Sequence, residues 1–488
     1  MQLLPEAVLV ITALVLLGVA VATERKTGRS FSVGSATGIA ASGILLALLA
    51  LGRVPSETAG SSLVLLDSMA RLGKGVVLAL GLLAVLLPPG QKEIREPGEV
   101  LALMLFALTG LLLATGTNHL LFLFVALELA SLSLYLLAGF SRSARAAEAS
   151  LKYFLFGGVS AAFLLFGLSW IYGFSHAATL TDVALALKSG VSPLAMAGLV
   201  MVLVALGFKL AAAPFHYWAP DVYQGAPATS VALVSAASKA AGLVVLIRFL
   251  QIGFAAVDGS AAWGSMSAGW SLWLAVLAAV SILFGNVLAL AQSSVRRLLA
   301  YSAVANTGYL LVGICANAPA STGAALFYVV VYGLATLGAL SLTASVERHQ
   351  GNDSPQAFAG LVHHSPLQAV ALLIFMASLA GIPPFAGFVG KFAIFSTAMA
   401  GTIRGEGSGI TWLVGLASVM SAVSLYYYLC ILKEAFVKES AEVRSDRLSP
   451  GHALAIGIPA VALVVLGLFP SLLLDPIARA VAESLAAR

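Results

Sequence analysis

Four ionisable side chains stand alone in long apolar runs. Glu128 lies in LLFLFVALELASLSLYLLAG, Lys209 in MAGLVMVLVALGFKLAAAP, Lys239 in ATSVALVSAASKAAGLVVLI and Lys391 in IPPFAGFVGKFAIF. A lone charge at the centre of a membrane helix costs about 2.5–3.5 kcal/mol on insertion scales, so such groups turn to a protein-lined interior where partners or water receive them. Three lysines and one carboxylate of this kind imply a route for protons or ions. The plainer alternative is a set of buried structural ion pairs. Burial disfavours the charged form of a lysine, and a nearby carboxylate favours it. Moving one charge along such a series switches the protonation state of its neighbour, which is what a proton relay requires. Glu128 is the acid nearest the centre of a span and the natural partner for Lys209. The small side chains of SAASKAAG leave room for water around Lys239.

Two of these lysines flank interruptions in their helices. PFHYWAPDVYQGAP follows Lys209, and GIPPFAG, residues Gly381–Gly387, precedes Lys391. Pro214-Phe215 and Pro384-Phe385 mark broken helices in the seventh and twelfth expected spans. The two breaks are five spans apart, so their helices cross the membrane in opposite directions. Paired interrupted helices in inverted repeats point to an ion or substrate site near the midplane, although proline also kinks membrane helices that have no such site. His216, in PFHYW, is a weaker candidate that could relay a proton or hydrogen-bond locally. His119 and His176 fall at helix ends, and His363 and His364 in a loop, where chemistry is less expected.

The elements that position these residues follow from composition. The chain has 488 residues, 60% hydrophobic and 10% charged. Long apolar runs recur from end to end, the signature of an all-α polytopic membrane protein. A formal net charge of +5, with most bases in loops, speaks against a nucleic-acid partner. The 47 glycines suit close helix packing in lipid. Cys315 and Cys430 are too few for an iron–sulfur cluster and are expected to pack. There is no P-loop, no GxGxxG between strand and helix and no metal-ligand cluster in the sequence, so energy must come from an ion gradient or from partner subunits. The start, MQLLPEAVLVITALVLLGVAVATERK, lacks a basic n-region and reads as a retained first helix.

Hydropathy gives about 14 spans. They fall near 5–22, 31–52, 70–88, 98–115, 118–140, 153–173, 193–213, 228–250, 271–291, 298–316, 322–346, 366–400, 410–432 and 453–474. The loops after odd-numbered spans carry the larger share of Arg and Lys, among them Arg25, Lys26, Arg29, Arg142, Arg145, Arg296, Arg297, Lys433 and Arg447. The opposite loops carry Arg53, Arg71, Lys74, Lys188, Arg248 and Arg404 among others. The positive-inside bias makes the first set cytoplasmic and puts both termini outside.

FKLAAAPFHYWAPDVYQGAP, SAASKAAG, SSVRRLLAYSAVANTGYLLVG and AGIPPFAGFVGKF together resemble the antiporter-like subunits of respiratory complex I. The likeness is greatest to subunit N of bacterial NADH–quinone oxidoreductase and spans about residues 98–430. It implies a proton-translocating subunit of the cell's inner (plasma) membrane with two inverted five-helix repeats and broken helices 7 and 12. The regions would be residues 1–97, a three-helix start; 98–252, the first repeat; 271–436, the second; and 437–488, a loop and last span. Glu128, Lys209, Lys239 and Lys391 fall on the family's relay positions. The resemblance implies no cofactor in this chain. NADH, flavin, iron–sulfur clusters and quinone would sit in partner subunits, and the neighbours would be other antiporter-like and small membrane subunits. Two departures stand out. Asn306, in SAVANTGY, replaces the family's usual histidine, and Gln224, in VYQGAP, replaces a glutamate. Asparagine orders water but takes up no proton near neutral pH. The alternative reading is a subunit of a multisubunit sodium/proton antiporter.

Overall fold

Lipid offers a backbone no hydrogen bonds, so an apolar run that spans it must satisfy its own amides, which an α-helix does. The computed structural model describes residues 2–27, 33–53, 63–87, 96–141, 143–403, 409–439 and 448–486. Among these the regular structure is helical. In chain order the helices are α1 (Leu4–Thr27), α2 (Val33–Arg53), α3 (Ser68–Leu86), α4 (Pro97–Thr115), α5 (Leu120–Ala138), α6 (Ala144–Ser175) and α7 (Leu180–Lys188). Then come α8 (Pro193–Leu210), α9 (Ala219–Gly225), α10 (Ala228–Leu233), α11 (Lys239–Arg248), α12 (Trp270–Leu290), α13 (Val295–Cys315) and α14 (Pro319–Gln350). The last are α15 (Leu361–His364), α16 (Pro366–Ala380), α17 (Ala386–Ile403), α18 (Thr411–Val437), α19 (Pro450–Leu468) and α20 (Ser471–Ala486). π-helical segments Val234–Ser238 and Phe249–Gly253 bracket α11, so Ala228–Gly253 runs as one span.

Twelve stretches among the described residues are long and apolar enough to cross a membrane. Three shorter apolar helices, Gly43–Arg53, Pro366–Ala380 and Ala386–Ala400, fall in the second and twelfth expected spans. Four helices escaped the hydropathy reading. Three are the short α7, α9 and α15. The fourth is α20, which begins within the last expected span after a break at Phe469 and Pro470 and runs on to Ala486. It buries Ile477, Ala480, Val481 and Ser484, spaced as one helical face, against α3 and α14.

Local chemistry starts the helices. Ser143 accepts from the Ala146 amide at 3.1 Å to cap α6, and Ser192 caps α8 just before a proline at its first position. His119 Nδ1 accepts from the Phe122 amide at 3.4 Å, so this histidine is a helix cap. Helices packed all round sit at the centre. Every residue in the most apolar window of Ala228–Gly253 and of Pro319–Gln350 is buried, whereas α1, α6 and α19 bury only 33% of theirs. The apolar faces left over on the outer helices suit lipid. Small residues let the backbones close up: a Cβ on Gly167 would meet Gly198 O at 2.7 Å, where α6 crosses α8.

Candidate functional site

The first break comes where Lys209 ends α8. Ala211 turns left-handed at φ 57° and returns its amide to Phe208 O at 3.0 Å. Pro214, on a cis peptide bond, follows before α9 resumes. The break is held from several sides. Trp218 donates its indole N–H to Phe208 O at 3.2 Å and stacks on Tyr153 at 4.4 Å, and the Ala213 amide donates to Ser281 Oγ at 2.9 Å. His216 is buried in the break, stacked on Tyr217 and edge-on to Tyr301, and its Nδ1 has no hydrogen-bond partner.

Lys209 Nζ donates to Ser131 Oγ on α5 at 3.2 Å. Glu128, one turn earlier on α5, makes no ion pair with it. The two share a cavity of about 20 Å³ with Ser131, Tyr135 and Ser160. The expected pairing is therefore a shared cavity, with serine as the direct contact. Gly242 lets α11 close on this lysine: a Cβ there would lie 3.4 Å from Lys209 Cγ.

Lys239 follows the π-helical segment Val234–Ser238 and is 3% exposed. A π-helical insertion shifts the register of the side chains that follow it and is frequent at functional sites. The ammonium donates to Ala303 O at 2.8 Å and to Thr307 Oγ1 at 2.9 Å, and lies 4.7 Å from the centre of the Tyr332 ring. Thr307 Oγ1 in turn donates to Leu210 O at 2.7 Å, the carbonyl next to Lys209 in the first break. One hydroxyl thus links the second lysine to the end of the helix that carries the first.

Asn306 is not that link. Its side chain points elsewhere on α13, donating from Nδ2 to Ser302 O at 2.8 Å and to Ser302 Oγ at 3.2 Å, while Oδ1 accepts from the Tyr328 hydroxyl. The Ser302 hydroxyl bonds Tyr428. Beside Tyr428, Tyr427 donates to Asn286 Oδ1 at 3.1 Å, and Asn286 Nδ2 donates to Tyr309 Oη at 3.1 Å. The Tyr309 ring then faces the Lys391 ammonium at 5.0 Å. Polar side chains on α12, α13, α14 and α18 therefore form a row that ends at Lys391.

The second break puts Lys391 on the far side of its interruption, on α17. Nζ reaches back to Leu379 O at 2.9 Å and Ala380 O at 3.2 Å, at the C-terminal end of α16, and to Ser421 Oγ at 3.1 Å. The negative end of a half-helix dipole favours a cation there. Gly381 takes φ 85° to end α16, and Pro384 again follows a cis bond. Gly387 lets the halves meet: a Cβ there would fall 1.7 Å from Ser378 O.

Sequence reasoning missed three charged clusters. Lys74, placed in an outer loop by hydropathy, is fully buried in α3 and pairs with Glu6 of α1 at 2.7 Å. Arg248, at the end of α11, donates to Thr115 O at 3.1 Å and pairs with Asp67. Near the basic loops, Asp221 of α9 pairs with Lys152 and Arg297, both at 2.7 Å. Gln224 Oε1 accepts from Arg297 at 3.4 Å, so the charge its residue type gives up is supplied to that arginine by Asp221. The available signal for Lys74 was a lysine at the rim of an apolar run, which reads the same for a loop. Cys315 is buried and its thiol donates to Ser271 O at 3.2 Å; Cys430 is half-buried.

Residues 117–421 match the family described as NADH:quinone oxidoreductase/Mrp antiporter, TM. Among curated relatives, NADH-quinone oxidoreductase subunit N 2 of Acidobacterium capsulatum is 44% identical over 449 residues, 89% of each chain. NADH-quinone oxidoreductase subunit N of Trichlorobacter lovleyi is 35% identical over 97% of this chain and 95% of its own. Among solved structures, a chain of respiratory complex I from Thermus thermophilus with bound aureothin is 32% identical with a TM-score of 0.79, covering 97% of this chain and 99% of that one. A chain of the Mrp complex from a Dietzia species matches with a TM-score of 0.79 at 22% identity, over 98% and 97% of the two chains, which shows the fold alone. With Lys209 and Lys391 at two broken helices and Lys239 buried on the span between them, the chain belongs to the NADH:quinone oxidoreductase/Mrp antiporter transmembrane family, among the relatives named NADH-quinone oxidoreductase subunit N.

Proposed function

We propose that this chain is a proton-translocating membrane subunit of an NADH-quinone oxidoreductase, in which Glu128, Lys209, Lys239 and Lys391 carry the proton relay. The subunit N relatives support the oxidoreductase reading over that of a sodium/proton antiporter. The observation that carries the relay is the Thr307 hydroxyl, which accepts from Lys239 and donates to Leu210 O beside Lys209. A lysine suits such a place. As an ammonium it donates to carbonyls and hydroxyls, and as an amine it accepts from the same hydroxyl. In a low-dielectric interior a charge gained at one lysine acts strongly on the next. Redox energy released in partner subunits would be passed on as a change in one of these charges.

The finer parts of the reading go with it. Residues 98–252 and 271–436 would be inverted repeats around the two breaks, with 1–97 and 437–488 flanking them. The basic loops would face the cytoplasm and both termini the outside of the plasma membrane. The neighbours would be antiporter-like and small membrane subunits. His216 and Asn306 would tune the row, His216 at the first break and Asn306 by holding Ser302 and Tyr328 in place.

Lys209→Ala and Glu128→Ala, each in the whole complex, test the relay. Proton transport into reconstituted vesicles should fall about tenfold or more, with assembly on native gels close to normal. Normal coupled transport in both would overturn the proposal.

A further inference from the structure

A buried ammonium needs a compensating negative field, and a carboxylate is the usual source. The three lysines differ in what supplies it. Lys209 shares its cavity with Glu128. Lys239 and Lys391 are 3% and 5% exposed, and neither pairs with a carboxylate among the described residues. Each instead stands over a tyrosine ring. Lys239 Nζ is 4.7 Å from the centre of Tyr332, and Lys391 Nζ is 5.0 Å from that of Tyr309. At such distances the negative face of an aromatic ring attracts a cation. Among the described residues Lys209 faces no ring in this way.

Both rings are fixed by their surroundings, and each is 1% exposed. Tyr332 adjoins Gly333 on α14, where a Cβ would lie 3.4 Å from the Ala236 Cβ, so α14 closes on the π-helical segment just before Lys239. The Tyr309 hydroxyl accepts from Asn286 at 3.1 Å, and the ring meets Phe395 edge-on, 6.0 Å between centres. Phe395 is one turn beyond Lys391 on α17, so the two side chains hold the same ring. An ammonium has three donors. Ala303 O and Thr307 Oγ1 take two from Lys239, which leaves the third for the Tyr332 face. At Lys391 all three go to Leu379 O, Ala380 O and Ser421 Oγ, and the Tyr309 face adds its field to theirs.

We propose that Tyr332 and Tyr309 are positioning residues whose ring faces stand in for the missing carboxylates, holding Lys239 and Lys391 in place as ammonium ions while each carries a proton. This rests on the relay proposed above and says how its two carboxylate-free lysines bear a charge. A ring face suits the task better than an acid would. A carboxylate beside the lysine would compete for the proton, and its attraction would vanish on taking it. The ring face binds no proton, and its field is the same before and after the lysine gives its proton up.

The test uses the whole complex in vesicles. Tyr332→Phe keeps the ring face and removes a hydroxyl that makes no hydrogen bond in the protein, so transport should stay within about twofold of the parent. Phenylalanines with one, two and three ring fluorines, inserted at 332 by nonsense suppression, nearly keep the shape while weakening the negative face. Transport should fall with each fluorine, about tenfold in all, with assembly on native gels unchanged. At 309, where the hydroxyl bonds Asn286, the same series is read against Tyr309→Phe and should fall likewise. At Phe327, fully buried on α14 and facing no ammonium among the described residues, the series should be flat. A flat series at either tyrosine overturns the role of that ring, because packing alone does not grade with fluorine number. If both are flat while Lys239→Ala and Lys391→Ala stop transport, the rings only pack and the relay stands. If those lysine variants pump normally, the relay fails and this inference with it.

Discussion

At the scale of single residues, neighbours on one helix take different parts. Asn306 and Thr307 are adjacent, yet about 100° of helical rotation sends one toward Tyr328 and the other toward Lys239. Asparagine at this place spends its amide on three protein contacts. Asn306→Leu should leave the Tyr328 hydroxyl and Ser302 short of partners and cost about 1–3 kcal/mol of stability. Asn306→His keeps a donor and an acceptor and should be tolerated. Lys239→Ala should lower proton transport more than Asn306→Leu does, compared at matched complex levels in vesicles. The reverse order would overturn the placement of the central proton carrier at Lys239.

At the scale of elements, two joints hold the row in place. Gly387 is the joint between α17 and α16. Gly387→Ala would drive a methyl group into Ser378 O, so the halves must separate and Lys391 must leave the carbonyls of Leu379 and Ala380. Reduced assembly and a lower melting temperature are expected; an unchanged thermal profile would show that the joint opens without cost. Glu6 and Lys74 are the other joint, pinning α1 to α3. Removing one partner strands a buried charge and should cost about 3–5 kcal/mol, whereas replacing both by apolar residues is often neutral. Glu6→Leu and Lys74→Met alone should therefore impair assembly, and the double variant should recover it. Native gels of the three variants decide this. Failure of the double variant would mean that the pair does more than dock a helix.

For the molecule as a whole, orientation is the property to establish. Arg145 is exposed in the first turn of α6 and Lys438 just after α18, both at ends expected to be cytoplasmic; Lys188 is exposed at the end of α7, expected on the opposite side. Arg29, Lys92, Arg142, Arg404, Arg444 and Arg447, which contribute to the charge bias, lie outside the described residues. With Cys315 and Cys430 replaced, single cysteines at Arg145 and Lys438 should resist an impermeant thiol reagent in intact cells. One at Lys188 should react. The opposite pattern would reverse the topology.

The helices and the lone charges within them were legible in the sequence because their signals are local. A run of apolar residues must be helical in lipid, a lone lysine within it must face the interior, and GIPPFAG cannot continue a helix. Glu128, Lys209, Lys239 and Lys391 and both breaks follow from that alone. Tertiary structure decided the partners. It put Ser131 rather than Glu128 on Lys209, Thr307 rather than Asn306 beside Lys239, and Glu6 on Lys74. The physical reason lies in the spans themselves. Central helices such as α14 are apolar on every side, so their periodicity does not say which face meets which neighbour. That choice is made by close packing between helices far apart in the chain, and by π-helical segments that shift the register just before Lys239.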